Sequence, residues 1–513
     1  MDTILILDYG SQYNQLIARR VRELNVYSEL LPFDLSMEQI REISPRGIIL
    51  SGGPNSVYDK DAPGLNPELL ELGIPVLGIC YGMQAMTHAL GGNVHHSDKH
   101  EYGHCELVAD DFSGIFRGLK QGEAEQVWMS HGDSIRELPS GFQADAHTSN
   151  TPTAAISCAE KKLYGLQFHP EVEHTTHGRE MLNTFVLDIC GCNASWTMEN
   201  FAEQAVRDIR EQVGNEKIIL GLSGGVDSSV AAALLARAVG RQLTCIFIDN
   251  GLLRKNEAAE VIELFKSNVD IEIKSIDASD RFLRALKGTE DPEEKRKIIG
   301  REFIREFEQA AGDLGNVRYL AQGTIYPDRI ESKSTKGGPS ATIKSHHNVG
   351  GLPEKMNLGL VEPLKDLFKD EVRKLGIQLG LPETHIMRHP FPGPGLGVRI
   401  LGDITREACD LLREADHIYI EEIRAAGLYN SISQAFVVLL PCKSVGVMGD
   451  ARTYERVAVL RAVTTTDFMT ADWSRIPADI LARISNRIIN EVKGINRVAY
   501  DISSKPPATI EWE

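Results

Sequence analysis

Short apolar runs and amphipathic stretches alternate along the first part of the chain, from residue 1 to about residue 190. The apolar runs end in glycine-rich turns, and amphipathic stretches such as YNQLIARRVRELN lie between them. The runs are TILILDYG, GIILSGGP, PVLGICYG and LYGLQFHP. Such short runs between amphipathic helices are typical of buried, mostly parallel strands. The pattern therefore predicts an α/β layered sheet.

A second alternating pattern follows a short irregular stretch, GCNASW. Thr197 is a candidate helix cap, because apolar residues recur at helical spacing between Asn200 and Val213. KIILGLS, LTCIFIDN, IEIKSID and RYLAQGT are candidate strands of a second α/β sheet. Residues 331–358 are polar and glycine-rich without any period. We interpret them as a mobile lid, because a loop of that length inside a domain is usually functional or disordered.

The pattern changes again after PFPGPGLGVR, which occupies residues 390–399. QAFVVLLP, SVGVMG and ERVAVLRAV are candidate strands, and PADILARISNRIINEV is a candidate helix. We therefore expect three domains. They are two α/β sheet domains, residues 1–193 and 194–390, and a smaller α+β domain, residues 391–513.

Composition narrows the class of protein. The 513 residues are 42% hydrophobic and 25% charged, with a formal net charge of -17, so we expect neither nucleic acid nor an anionic membrane as a partner. The eight cysteines are scattered and show no disulfide or zinc spacing. The start MDTILILDYGSQ lacks the features of a secretory signal, and no apolar run reaches the roughly 18 residues of a membrane span. These features predict a cytoplasmic protein.

Cys80 lies between an apolar run and a candidate helix, in PVLGICYGMQ, with Gly78 and Gly82 on either side. This is the pattern of a nucleophile elbow, in which a tight turn exposes the nucleophile. The free N–H groups of the following helix favour a thiolate at this position. A lone cysteine is more often a structural residue, so the interpretation needs further residues.

Those further residues follow two other candidate strands. LYGLQFHPEVE places His169 and Glu171 two apart on an extended chain, so both side chains point the same way and Glu171 can orient the base. SGGP, at residues 51–54, offers backbone N–H groups for an oxyanion hole. The three motifs together favour nucleophilic catalysis over a purely structural role for Cys80.

A third motif, SGGVDSS, joins the strand KIILGL to a helix. Backbone N–H groups of such a turn form an anion cradle, and the absence of a following lysine excludes an ordinary Walker A loop. Ser223, Ser228 and Ser229 can donate to phosphate oxygens. Asp227 suits an anion site only with a cation, so we predict Mg²⁺ there.

The set SGGP, GICYGMQ and FHPEVE resembles the class I glutamine amidotransferases, in which a cysteine thioester releases ammonia from glutamine. The resemblance implies a catalytic triad of Cys80, His169 and Glu171. It also implies an oxyanion hole and a glutamine pocket. Their residues are Gly53, Tyr81, Gln84, and His131 and Asp133 of SHGD.

SGGVDSS resembles the loop of the N-type ATP pyrophosphatases, whose fold is similar to the adenine-nucleotide α-hydrolases and which transfer AMP to a substrate oxygen. The resemblance implies ATP contacts along the loop and at two later strand ends, in FIDNGLLR and QGTIYPD. The implied residues are Ser223, Gly224, Gly225, Val226, Asp227, Ser228, Ser229, Asp249 and Gly323.

PFPGPGLGVR, SVGVMGD, IKSHHNVGGLP and KPPATIEWE are similar to strings of the GMP synthetase family, which extends the resemblance over the whole chain. It implies glutamine, ATP and xanthosine 5′-monophosphate (XMP) as substrates and a C-terminal domain that forms a homodimer. The implied XMP-binding and lid residues are Arg296, Lys344, His346, His347, Gln434, Lys505, Ile510 and Glu511.

Three alternatives remain open. Another adenylating amidotransferase, making NAD or asparagine, would share the first two motif sets but not the C-terminal strings. A tRNA-thiolating pyrophosphatase would usually need extra cysteines or a basic surface. A non-catalytic protein on the same folds would be expected to lack Cys80, His169 or the SGGVDSS loop, and all are present.

Overall fold

Two compact units, Met1–Phe201 and Ala202–Glu513, make up the computed structural model of the chain. The structure describes residues 1–120, 123–269, 271–334, 358–448, 451–465, 468 and 470–513. Most of the predicted lid, with Lys344, His346 and His347, lies outside these residues. The division into domains 1–193, 194–390 and 391–513 stays a prediction.

A nine-stranded sheet in the order β2-β1-β3-β4-β9-β8-β7-β5-β6 forms the first unit. The first five strands in that order are parallel, as predicted, and the remaining pairs are antiparallel. The strands are β1 Thr3–Asp8, β2 Tyr27–Pro32, β3 Gly47–Leu50, β4 Val76–Ile79, β5 Asn93–Ala109, β6 Glu125–Glu137, β7 Gln143–His147, β8 Ala155–Cys158 and β9 Leu163–Leu166.

The helices of this unit are α1 Asn14–Glu23, α2 Met37–Ile43, α3 Tyr81–Ala89 and α4 Gly178–Asn183, which continues as a π-helical segment, Thr184–Ile189. Short 3-10 turns occupy Pro67–Glu71, Gly114–Phe116 and Ala159–Lys161. Strands β3, β4 and β9 are buried throughout. Because parallel strands end at one edge of a sheet, the segments after these three strands meet there.

A parallel five-stranded sheet in the order β12-β11-β10-β13-β14 begins the second unit. Its strands are β10 Lys217–Gly221, β11 Leu243–Asp249, β12 Glu272–Asp277, β13 Val317–Ala321 and β14 Gly359–Val361. The helices are α5 Met198–Val213, α6 Val226–Val239, α7 Glu257–Asn268, α8 Ser279–Leu286, α9 Pro292–Leu314, α10 Tyr326–Ser334, α11 Lys369–Gln378 and α12 Glu383–Ile386, with a 3-10 turn at Gly240–Gln242. Helix α5 crosses the division between the units, and the Thr197 hydroxyl accepts from the Asn200 N–H at 3.3 Å, as predicted.

Four strands and two helices complete the second unit. They are β15 Gln434–Met448, β16 Ala451–Thr464, β17 Asp472–Trp473, β18 Ile495–Asp501, α13 Arg406–Ala425 and α14 Ala478–Glu491, with 3-10 turns at Gly395–Val398 and Tyr429–Ser431. The predicted strands QAFVVLLP and SVGVMG are one strand, β15, whose register shifts between Leu439 and Lys443. Pro441 lies in that shift, because proline cannot donate to the ladder.

One hydrophobic core joins the five-stranded sheet to the C-terminal elements. It includes Ile219 of β10 and Ile246 of β11 together with Ile418 of α13 and Val437 of β15. In the described part of the chain, no helix is long and apolar enough to cross a membrane.

Candidate active site

Cys80 occupies the turn between β4 and α3 with a positive φ of 50°, which is unusual for a residue other than glycine. The two flanking glycines permit this turn. A Cβ on Gly82 would lie 2.4 Å from the Leu50 carbonyl oxygen, and one on Gly78 would lie 2.6 Å from the Met83 nitrogen. The predicted elbow is therefore present and depends on close backbone approach.

The structure brings Cys80, His169 and Glu171 together. Nδ1 of His169 lies 2.7 Å from Oε1 of Glu171, and both residues are buried, at 3% and 0% exposure. Cys80 adjoins the same imidazole, because a Cβ on Gly52 would lie 3.2 Å from Cε1 of His169 and 3.6 Å from Cβ of Cys80. Sulfur, imidazole and carboxylate thus form the nucleophile, base and orienting acid that this chemistry needs.

Opposing effects act on the pKa of His169. Burial alone lowers it, because the charged ring loses water, but the Glu171 carboxylate and the neighbouring Cys80 outweigh burial. The pKa of His169 consequently lies well above its usual 6.5. A ring that carries a proton in this position can donate it to a leaving group.

Backbone N–H groups border the sulfur where an oxyanion would form. Tyr81 is the first residue of α3, so its N–H has no helical partner of its own. A Cβ on Gly53 would lie 2.5 Å from the Tyr9 carbonyl, and one on Gly52 would lie 3.2 Å from Cε1 of His169. Gly52 was not predicted as a site residue, although it lies in SGGP, the motif that predicted an oxyanion hole.

The predicted glutamine-pocket residues are buried beside the elbow and already linked to one another. Nε2 of Gln84 donates to the carbonyl of Asp133 at 2.9 Å, and Nδ1 of His131 contacts the same carbonyl at 2.9 Å. Sγ of Cys80 lies 3.6 Å from the carbonyl of Ser130. Glu101, which was not predicted, lies 3.3 Å from Nε2 of His131.

The SGGVDSS loop joins β10 to α6, as predicted. Gly224 has a φ of 74°, and the Ser223 and Ser228 hydroxyls lie 3.0 Å apart. The loop includes the N-terminus of α6, whose first N–H groups are free for an anion. Nε2 of His385, a residue not predicted, lies 2.9 Å from the Ser229 hydroxyl.

Lys369, at the start of α11, contacts both oxygens of Asp227, at 2.6 and 2.7 Å. Across the described ranges, no cluster of three or more His, Cys, Asp or Glu side chains could hold a metal. Mg²⁺ commonly uses one or two carboxylates together with substrate phosphates and water. A single carboxylate beside an anion cradle fits a Mg²⁺ ion that arrives with a nucleotide.

Two further predicted ATP residues border this loop or its sheet edge. A Cβ on Gly323 would lie 3.3 Å from the backbone of Asp227, so this glycine packs against the loop. Asp249 ends β11, and its carboxylate accepts from the Gly251 N–H at 2.9 Å. The Asp249 side chain therefore shapes the turn that follows β11.

The structure brings together only some of the predicted XMP residues. Glu511 accepts from Gln434 at 2.7 Å and from Nη2 of Arg399 at 2.8 Å, and Arg399 was missed because it is distant in sequence. Nζ of Lys505 instead donates to the Phe468 carbonyl at 2.7 Å. Ile510, the residue before Glu511, packs in a small apolar cluster with Phe436 and Val438, and Arg296 pairs with Glu293 on α9 at 3.5 Å.

Comparisons with known proteins cover the chain. Family models match "Glutamine amidotransferase class-I" over residues 5–189, "NAD synthase" over 198–303 and "GMP synthase C terminal domain" over 421–512. Curated relatives named GMP synthase (glutamine-hydrolyzing) include one from Methylobacillus flagellatus, 59% identical over 522 residues, and one from Azoarcus sp., 60% identical over 516. Another, from Fusobacterium nucleatum, is 59% identical over 511 residues. Each comparison covers 99% of both chains.

Proposed function

This chain belongs to the family of glutamine-hydrolysing GMP synthases, and from that premise we propose which residues perform each part of the reaction. The enzyme is a ligase with glutamine amidotransferase activity. It hydrolyses glutamine to glutamate and ammonia, adenylates XMP with ATP, and aminates the adenylated intermediate to give GMP and AMP. The observation that carries the residue assignment is the hydrogen bond between His169 and Glu171 beside the turn that holds Cys80.

In the first unit, the Cys80 sulfur attacks the carboxamide carbon of glutamine, and the developing oxyanion is held by the Gly53 and Tyr81 N–H groups. His169 gives its proton to the leaving nitrogen, so ammonia departs and a thioester remains. His169 then takes a proton from water, which attacks the thioester and releases glutamate. Glu171 keeps the imidazole oriented and stabilises its charged form.

Gln84, His131 and Asp133 are proposed to line the glutamine pocket. Support comes from their burial and from their common link at the Asp133 carbonyl. Buried polar groups that are already hydrogen-bonded hold one geometry, which is what a site for a small polar substrate needs.

In the second unit, the SGGVDSS loop binds the phosphates of ATP, and Asp249 and Gly323 belong to the nucleotide site. The xanthine C2 oxygen attacks the α-phosphorus and pyrophosphate leaves; ammonia then attacks C2 and AMP leaves. We propose that Asp227 holds Mg²⁺, which neutralises phosphate charge when bound. The Lys369 ammonium adds a second cation at the same carboxylate.

We further propose that Gln434 and Glu511 recognise XMP, since they meet in a partly buried hydrogen-bonded group with Arg399. Arg296, Lys505 and Ile510 remain proposals from family resemblance. A homodimer through the C-terminal domain and a cytoplasmic location are likewise proposals, and light scattering of the purified chain tests the first.

The test measures GMP and AMP with XMP, ATP and Mg²⁺, using either glutamine or an ammonium salt as nitrogen donor. Cys80→Ala should lose glutamine-dependent synthesis and keep ammonium-dependent synthesis. Cys105→Ala, a half-buried cysteine of the same unit, is the matched control and should keep both. Glutamine-dependent synthesis by Cys80→Ala would contradict the assignment of the nucleophile.

A further inference from the structure

Glu101 of β5 lies directly across the antiparallel ladder from His131 of β6. Its Oε1 accepts from the Thr148 hydroxyl at 2.8 Å, and its Oε2 accepts from the Thr151 hydroxyl at 2.7 Å. Oε2 also lies 3.3 Å from Nε2 of His131. The side chains of Glu101 and His131 are each only 2% exposed, so the protein supplies their partners.

Counting hydrogen-bond donors shows that this buried pair holds one proton more than a neutral His131 and an ionised Glu101 would carry. Nδ1 of His131 faces the Asp133 carbonyl, which can only accept, so Nδ1 carries a hydrogen. A neutral ring then presents a lone pair at Nε2 to an ionised Glu101, and two acceptors in contact repel each other. The contact is favourable when one proton lies between Nε2 and Oε2, on either atom.

The pair is connected to both proposed functional groups of the glutamine site. The Asp133 carbonyl that receives His131 also receives Nε2 of Gln84, at 2.9 Å. One residue before His131, the Ser130 carbonyl lies 3.6 Å from Sγ of Cys80. The orientation of His131 thus governs a short segment, residues 130–133, that contacts the nucleophile and the glutamine pocket.

We propose that Glu101 is a positioning residue for glutamine hydrolysis, because the proton that it shares with His131 holds segment 130–133 against Cys80 and Gln84. The inference rests on the proposed roles of Cys80 and Gln84. Glu101 itself touches neither group, so it acts through His131.

Other titratable groups surround the pair and are common to every variant below. They are Asp133 and His96, which contact each other at 2.9 Å, His100 beside Gly132, His169 beside His131, Cys105 beside Glu101, and Cys80. Burial lowers the pKa of His131 and outweighs the Glu101 carboxylate and the Asp133 carbonyl, which oppose it. The pair therefore loses its shared proton as the pH rises through that lowered range.

The test compares Glu101→Gln, Glu101→Ala and Glu106→Gln, an exposed residue of the same strand, in the full-length chain. Glutamine-dependent kcat/KM is measured from pH 5 to pH 8, with ammonium-dependent synthesis as an internal reference. Glu101→Ala should lower kcat/KM for glutamine by about 30- to 100-fold through misplacement of the site. Glu106→Gln should match wild type, and ammonium-dependent synthesis should be unchanged throughout.

Glu101→Gln is the decisive variant if Glu101→Ala does not fold, as judged by thermal unfolding. Its amide can donate to a neutral His131 at every pH, so the ratio of its kcat/KM to that of wild type should rise about threefold or more between pH 5 and pH 8. A flat ratio, or a folded Glu101→Ala within twofold of wild type, overturns the inference. Cys80→Ala is assayed in parallel: if it retains glutamine-dependent synthesis, the proposed function fails instead.

Discussion

At the scale of single residues, the backbone around Cys80 leaves no space for side-chain carbon on its flanking glycines. A Cβ on Gly82 of α3 would approach the carbonyl of Leu50 to 2.4 Å, and Leu50 ends β3, the strand paired with the one that precedes the nucleophile. We predict that Gly82→Ala reduces glutamine-dependent synthesis by about 100-fold or more, because misplaced catalytic groups lose at least that factor. Initial rates with glutamine and with ammonium salts measure the effect.

Gly64→Ala is the matched control, because a Cβ there has open space and the backbone has no positive φ. It should retain both activities. If Gly82→Ala also kept normal glutamine-dependent activity, the elbow would be more deformable than its contacts indicate.

The charge of Glu171 sets the protonation of His169. The pKa of His169 is higher in the folded than in the unfolded state. The stability that the His169–Glu171 pair contributes is therefore present in full below the unfolded pKa of about 6.5, and it is lost as the pH rises through the folded pKa. We predict that Glu171→Gln lowers Tm more at pH 6 than at pH 9. Scanning calorimetry across this range tests the sign, and a Tm difference that grows with pH would contradict it.

Lys369 is predicted to assist phosphate binding. Its ammonium group contacts both oxygens of Asp227 next to the anion cradle, so its removal takes a cation from the ATP site. Lys369→Met should lower kcat/KM for ATP by about 10- to 100-fold in the ammonium-dependent assay, since contacts that include a charged group are the stronger ones. Lys374→Met, on the exposed side of the same helix, should resemble wild type. Equal losses in both variants would show that the effect comes from damage to α11 and not from loss of the contact with Asp227.

At the scale of elements, helix α13 holds the turn that follows β11. Arg413 of α13 donates to the carbonyls of Leu253, at 2.9 Å, and of Gly251, and Lys255 pairs with Glu414 at 2.6 Å. A C-terminal helix therefore shapes the turn in FIDNGLLR, where ATP contacts are predicted. We predict that Arg413→Gln raises KM for ATP about fivefold or more, because a loosened turn no longer holds the nucleotide in one position.

Arg406→Gln, which removes an exposed ion pair of the same helix, is the control and should leave KM for ATP unchanged. A normal KM for ATP in Arg413→Gln would show that α13 does not influence the nucleotide site.

Sequence patterns predicted the parallel strands β1, β3, β4, β9, β10 and β11 because each is a short apolar run that is largely buried. They did not predict the parallel strands β2 and β14, which are only partly buried. They also did not predict β5 and β6. The pairing of these strands shifts between His96 and Glu101, and their many polar residues obscure the alternation of apolar and polar positions. For the same reason the triad was predictable, since each member follows a recognisable strand. Lys369 and Arg399 were not, because they reach their partners across 142 and 112 residues of chain.

At the scale of the whole molecule, each unit has hydrophobic cores built from its own residues. The largest core of the second unit draws its buried members from Ile219 to Ile495, and a core of the first draws them from Leu5 to Leu163. A unit with its own core can in principle fold alone. A cut before Thr197 preserves the cap of α5 and leaves Trp196 on the first unit, where its N–H donates to the Asn25 carbonyl at 2.7 Å.

We therefore predict that a fragment comprising residues 197–513 makes GMP from ammonium at a rate within about fivefold of the full chain, and makes none from glutamine. The full chain carrying Cys80→Ala is the matched control, because it also lacks glutamine hydrolysis but retains both units. If the fragment folds, as shown by a cooperative thermal transition, yet fails with ammonium while the control succeeds, the synthetase chemistry depends on the first unit for more than its supply of ammonia.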